Sequence, residues 1–160
     1  MDDSYTCHET SFGLVAVKTY SGNYNWEEAR TKCSQDGTSG VKGELATPLS
    51  SIENEWFVNK AKELGLGHFW LGVNDKDVEG TWTNLYGPQT YSNWNPGEPN
   101  NYGNQDCALS GGGYGYKWDD ATCDFKLPDL FCTHVEGESI CPCYLELMAS
   151  NISLTRHRLE

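Results

Sequence analysis

Apolar residues along this chain fall into short blocks divided by polar stretches, and each block has its own period. Residues 12–20, rich in Val and aromatics, predict a first strand. Asn25 then precedes Trp26-Glu27-Glu28-Ala29, and Asn25 with Glu28 has the spacing of a capping box. Trp26, Ala29 and Cys33 share one face of the helix this predicts, with Gly37 as its stop and 37–43 as a Gly- and Ser-rich loop. A second capping-box pair, Ser50 and Glu53, opens another helix whose apolar face reads Ile52, Trp56, Ala61 and Leu64, ended by Gly65. His68-Phe69-Trp70-Leu71-Gly72-Val73 is nearly all apolar, the pattern of a buried strand.

After Asn74 the pattern changes. To about Gly115 the chain is dominated by Asn, Asp, Gly, Pro and Tyr, with strand-like pieces only near Thr81-Trp82 and Ala108-Leu109. A loop this long is usually functional or disordered, and the interspersed Trp82, Tyr91 and Trp94 argue for an ordered one. Bound cations are the economical means of holding it. Lys117-Trp118 leads out of the loop, Leu130-Phe131-Cys132 predicts a closing strand, and no internal repeat is visible.

Composition narrows the class. A length of 160 residues fits one domain, and a net charge of −12 argues against nucleic acid and anionic membranes as partners. No run approaches the ~18 apolar residues of a membrane span. The first twenty residues lack a signal-peptide hydrophobic region, so the chain reads as a mature form beginning at an added or retained Met1. Seven cysteines imply a disulfide framework and a secreted, extracellular protein, with one thiol left over. Zinc is disfavoured, because only Cys141 and Cys143 are closely spaced and no His pair accompanies them. Residues 136–160, with the sequon Asn151-Ile152-Ser153 and the basic Arg156-His157-Arg158, read as an oligomerisation segment, a flexible extension or a vector-derived piece.

The candidate chemistry lies in Glu98-Pro99-Asn100 and Trp118-Asp119-Asp120, with Gln105 and Asp106 between them. Carboxylates mixed with amides, without a His or Cys cluster, suit calcium, which takes six to eight oxygen ligands. A cis Glu98–Pro99 bond, costing only about 0.5–1 kcal/mol before proline, would turn Glu98 and Asn100 toward one point.

Taken in order, these residues resemble the C-type lectin-like domain over about 5–134, leaving 135–160 as a tail. The matching signals are Trp26-Glu27-Glu28-Ala29 before Cys33, Trp70-Leu71-Gly72, Trp94 through Asn100, Cys107, Trp118-Asp119-Asp120, Cys123 and Phe131-Cys132. The resemblance implies an α+β fold, with two helices flanking small antiparallel sheets and a long calcium-binding loop. It implies disulfides Cys33–Cys132 and Cys107–Cys123. Cys7 stands where an extra N-terminal disulfide would begin, but its partner near Ala16 or Val17 is missing, which leaves Cys7, Cys141 and Cys143 for other pairings, including a disulfide-linked homodimer.

By the same resemblance Glu98, Asn100, Gln105, Asp119 and Asp120 hold a principal calcium, and the first four also contact a sugar. Asp75, Glu79, Asn101 and Asp106 match an accessory calcium site. Two positions depart from the family pattern: Gln105 stands where Glu is common, and Asp119 where Asn is common. One loses a charge and gains an amide donor, and the other does the reverse, so the donor–acceptor complement is kept with roles exchanged. Glu-Pro-Asn favours mannose-type glycans. The exchanged pair would bear on which orientation of the hydroxyls is preferred, and Tyr114 or Tyr116 set beside the sugar would suit galactose, although either tyrosine could equally be a core residue. Trp94 and Trp118 read as structural.

The implied role is that of a secreted pattern-recognition (innate-immune) or agglutinating lectin, bound to microbial or mannose-type carbohydrate. The same fold with its sugar site lost serves protein or ice binding. An enzyme reading is weak: Glu98 and Asp120 as a glycosidase pair would be held ionised by the ion, leaving no proton for a general acid. A Cys–His nucleophile would rest on the adjacent Cys7-His8, which a half-cystine explains better.

Overall fold

A computed structural model describes residues 6–11, 13–35 and 43–136. Strands β1 (Thr6–Thr10) and β2 (Gly13–Tyr24) form a hairpin, followed by α1 (Trp26–Gln35), β3 (Glu44–Leu45) and α2 (Ser51–Glu63). Then come β4 (His68–Asn74), the short β5 (Thr83–Asn84) and β6 (Gly87–Pro88), β7 (Cys107–Gly111), β8 (Lys117–Ala121) and β9 (Leu127–Glu136). One sheet has the order β1-β2-β9-β3 and the other β6-β5-β4-β7-β8, with antiparallel pairing in both. This is the α+β architecture expected, with two α-helices among the described residues and disulfides Cys33–Cys132 and Cys107–Cys123. Among the described residues no helix is long and apolar enough to cross a membrane.

The period of two along β4 explains how the sheets share a core. Phe69, Leu71 and Val73 face a cluster with Val15, Phe57, Trp118 and Phe131, whereas Trp70 faces Trp26, Cys33, Leu109 and Cys132 on the other side. A strand buried on both faces needs a continuous apolar run, and the sequence has one there. Three tryptophans bury their rings and each indole N–H finds an acceptor. Trp26 Nε1 donates to Leu71 O (2.8 Å), Trp70 Nε1 to Tyr24 O (3.1 Å) and Trp118 Nε1 to Asn54 Oδ1 (2.9 Å).

Both helices begin where their caps predict. Glu28 N–H donates to Asn25 Oδ1 and Asn25 N–H to Glu28 Oε2, each at 2.9 Å. In α2 Glu53 N–H donates to Ser50 Oγ (3.2 Å), but the Glu53 carboxylate reaches back to Leu49 N–H rather than to Ser50. Gly65 stops α2 in the left-handed conformation (φ 72°) that glycine adopts without strain.

Several expectations need correction. The buried face of α2 is Asn54, Phe57, Lys60 and Ala61, while Ile52 is 59% and Leu64 43% exposed. Asn54 turns inward because it satisfies Trp118, and Lys60 buries its stem while its Nζ reaches Glu63 Oε2 at 2.7 Å. The first strand runs on to Tyr24, since its ladder with β9 continues past a bulge to Tyr24↔Leu127. Strand β1 was not expected; its register sets Cys7 opposite Ala16, and Cys7 is disulfide-bonded. Strand β5 begins at Thr83, directly after the expected piece Thr81-Trp82. The Gly37 stop, most of loop 37–43, and Cys141, Cys143 with the rest of 137–160 lie outside the described residues.

The long loop is held by aromatic packing and backbone bonds. Trp94 lies against Trp82 (centroids 4.7 Å apart) and edge-on to Trp118 (5.5 Å), and Tyr91 also meets Trp118 edge-on (5.7 Å). Trp118 N–H donates to Asn93 O (2.9 Å) and Asn95 N–H to Trp118 O (2.8 Å). The tryptophans are structural.

Candidate functional site

The site forms where the loop 98–106 meets β8. In the β7–β8 register Asp119 stands opposite Leu109 and Asp120 opposite Ala108. Asp120 is 1% exposed, and its carboxylate accepts two backbone N–H groups of the loop, Asn100 at Oδ1 (3.0 Å) and Asn101 at Oδ2 (2.7 Å). The Glu98–Pro99 bond is cis. Carboxylate oxygens of Glu98, Asp119 and Asp120 all lie within 4.8 Å of one another. Two oxygens each about 2.3–2.6 Å from one cation are at most about 5 Å apart, so this spacing allows all three on a single calcium.

Gln105 joins them through its amide. Its Nε2 donates to Asp120 O (2.7 Å), which leaves Oε1 as the free end. Gln105 Oε1 and Glu98 Oε2 are both buried and accept no hydrogen bond. A buried acceptor with nothing to accept costs about 1–3 kcal/mol, so this pair, beside the carboxylates of Asp119 and Asp120, fits a cation. Asn100 belongs to the same group through its N–H on Asp120, and its own Oδ1 accepts Tyr102 N–H (2.8 Å).

The residues expected at an accessory site are brought together only in part. Asp75 is buried, its Oδ2 accepts Gly80 N–H (2.8 Å), and its Oδ1 is a third buried acceptor without a partner. Asp106 is close, its carbonyl accepting Asp75 N–H (3.0 Å) and its Oδ2 accepting Asn104 Nδ2 (3.0 Å). Glu79 is exposed, and Asn101 Oδ1 is taken by Gln105 N–H (2.7 Å). Tyr116 is not brought to the carboxylates: its hydroxyl donates to Leu66 O (2.7 Å) and its ring packs on Phe69, which makes it a core residue. Tyr114 is 47% exposed in the 3-10 turn Gly112–Tyr114. Tyr102 was not anticipated; it is 85% exposed, two residues from Asn100. Its only signal in the sequence is an aromatic just after the acid–amide pair.

Crowding shows in the proton affinities. Burial, then Asp120 by hydrogen bond and the charges of Asp119 and Asp120, raises the Glu98 carboxyl above its ordinary range. Burial and the Asp120 charge raise Asp119. Burial, then the charges of Asp106 and Asp120, raises Asp75 against a lowering by Gly80 N–H. A carboxyl whose folded value exceeds its unfolded value binds its proton more tightly when folded, so stability rises as pH falls through that folded value. In EDTA the melting temperature should therefore rise as pH falls from 7 toward the raised values, which lie above the ordinary 3.8 for Asp and 4.5 for Glu. In saturating calcium the same acidification should lower it, because protons displace the ion. Thermal melts at both conditions check this, and parallel slopes with and without EDTA would refute it.

A disulfide-bonded α+β domain with an acid- and amide-lined loop docked on strand β8 defines the class. The family model of the lectin C-type domain matches residues 22–132, and the chain belongs to that family. A perlucin-like protein of the mussel Mytilus galloprovincialis is 34% identical over 113 residues, spanning 68% of this chain and 69% of its own. The mouse low affinity immunoglobulin epsilon Fc receptor is 31% identical over 137 residues, which cover 84% of this chain but 37% of the receptor. The cow C-type carbohydrate-recognition domain of CD23, solved in the presence of a GlcNAc2Man3 oligosaccharide, superposes with a TM-score of 0.68 at 26% identity, covering 86% of this chain and 97% of that one.

Proposed function

We propose that this domain binds carbohydrate through calcium, with mannose-type sugars favoured, and acts as an extracellular recognition or agglutinating lectin rather than an enzyme. The observation that carries the reading is the pair of buried, unpartnered oxygens, Glu98 Oε2 and Gln105 Oε1, beside the carboxylates of Asp119 and Asp120. Glu98, Asn100, Gln105, Asp119 and Asp120 would hold the ion; Asp75 and Asp106 would hold a second. Bound calcium supplies a positive anchor for two adjacent sugar hydroxyls. The side chains supply direction: Glu98 and Asp119 accept hydrogen bonds from those hydroxyls, and the Asn100 amide donates one. Gln105 contributes its oxygen to the ion, since its Nε2 already serves Asp120 O. Charge lost at Gln105 is thus returned at Asp119.

Support for mannose-type ligands comes from Glu98-Pro99-Asn100 and from the oligosaccharide named for the CD23 domain. One hexose contact is shallow, so useful avidity calls for several sites on one assembly. The test is retention on immobilised mannose and galactose in calcium. Retention on mannose with release by EDTA is expected. Retention on galactose alone would keep the calcium chemistry and overturn the specificity; retention on neither, repeated on a multivalent glycan array, would overturn the lectin reading.

A further inference from the structure

The accessory-site positions differ in what their oxygens already do. Asp75 Oδ1 is buried and unpartnered, whereas Asn101 Oδ1 accepts the backbone N–H of Gln105 at 2.7 Å. Asn101 also gives its own N–H to Asp120 Oδ2 (2.7 Å), and its carbonyl accepts Asn104 N–H (3.3 Å). Gln105 in turn donates Nε2 to Asp120 O (2.7 Å). Asn101, Gln105 and Asp120 are therefore joined pairwise in a closed circuit. The circuit needs Asn101 in the left-handed region, at φ 49°, which asparagine tolerates better than most residues.

We propose that Asn101 is a positioning residue of the principal calcium site, bracing Gln105 against Asp120. This rests on the calcium reading above and deepens it. The brace is made entirely of hydrogen bonds within the chain. It fixes the backbone of Gln105 at one end and its amide at the other, so that Oε1 is already turned into the buried space where it has no partner. Preorganised ligands lose less freedom when an ion arrives. A ligand role would instead make the Asn101 oxygen dispensable to the principal ion.

The test uses Asn101→Gly, Asn101→Ala and Asn101→Asp. Glycine accommodates φ 49° without strain but offers no acceptor; aspartate keeps an acceptor and tolerates the same backbone. Calcium titration should show roughly tenfold weaker binding for Gly and Ala, the worth of one hydrogen bond, and recovery to wild-type strength or better for Asp, with the number of ions per chain unchanged. Amide hydrogen exchange in EDTA gives a readout free of calcium: Gln105 N–H should be protected in wild type and Asn101→Asp and exchange faster in the other two. Loss of one ion per chain in Asn101→Gly at unchanged affinity for the remaining ion would overturn the proposal, as would equal Gln105 exchange in all four proteins. A wild type that binds no calcium would defeat the calcium reading, while the exchange experiment would still judge the brace.

Discussion

Replacing Asp120 by alanine should weaken calcium binding by about 100-fold or more and abolish calcium-dependent sugar retention. Asp120 does two things at once. It brings a carboxylate to the three-acid cluster, and it accepts N–H groups from Asn100 and Asn101. Hydrogen bonds to a charged group contribute about 1.5–3 kcal/mol each, and about 1.4 kcal/mol is tenfold in affinity, so losing two of them together with the charge supports that figure. Asp120→Asn keeps one side-chain oxygen as an acceptor and should fall between alanine and wild type. Calorimetric calcium titration measures both variants. An Asp120→Ala protein that still bound calcium like wild type would refute the assignment of the site.

Trp118→Ala should destabilise the domain by roughly 3–5 kcal/mol, enough to threaten a domain whose whole stability is about 5–15 kcal/mol. Trp118 is fully buried and is the surface against which Trp94 and Tyr91 pack edge-on. Trp118→Phe separates packing from hydrogen bonding. It keeps most of the ring volume but strands Asn54 Oδ1, at about 1–3 kcal/mol. Adding Asn54→Leu removes the stranded group, so the double variant should recover part of the loss. Urea unfolding in EDTA reads all four proteins without interference from the ion. Equal stability of Trp118→Phe and wild type would show that the Asn54 hydrogen bond contributes nothing.

The elements read most readily from sequence were those in which one local rule decides the outcome. Asn25 with Glu28, and Ser50 with Glu53, mark helix starts because capping is chemistry within four residues. The block His68–Val73 marks a two-sided strand because nothing else buries so many apolar residues in a row. Elements decided by distant partners were less legible. Asn54 looks like a surface position until Trp118 is known to need an acceptor, and that misplaces the buried face of α2 onto Ile52 and Leu64. Strand β1, Thr-Cys-His-Glu-Thr, has no apolar period because it pairs only at the margin of its sheet. At the candidate site, residue types and order single out a stretch of chain that the fold gathers around Asp120, but spacing does not say which lone pair is already in use. Asn101 and Tyr116 look alike in sequence as ion or sugar contacts; only folded geometry reveals that the Asn101 oxygen accepts Gln105 N–H and that the Tyr116 hydroxyl donates to Leu66 O.

Strand β8 is the outermost strand of its five-stranded sheet, and its free side is not left open. The segment around Trp94 lies along it in a parallel bridge to Trp118, taking that residue's backbone N–H and C=O. An uncovered strand of this kind is a template on which another chain can add. The segment that leads into Glu98 is thus also a seal. Any change that peels it away, whether loss of its aromatic anchors or prolonged loosening of the acidic loop beyond it, exposes an adhesive margin, and failure of recognition and the onset of aggregation then share one structural cause.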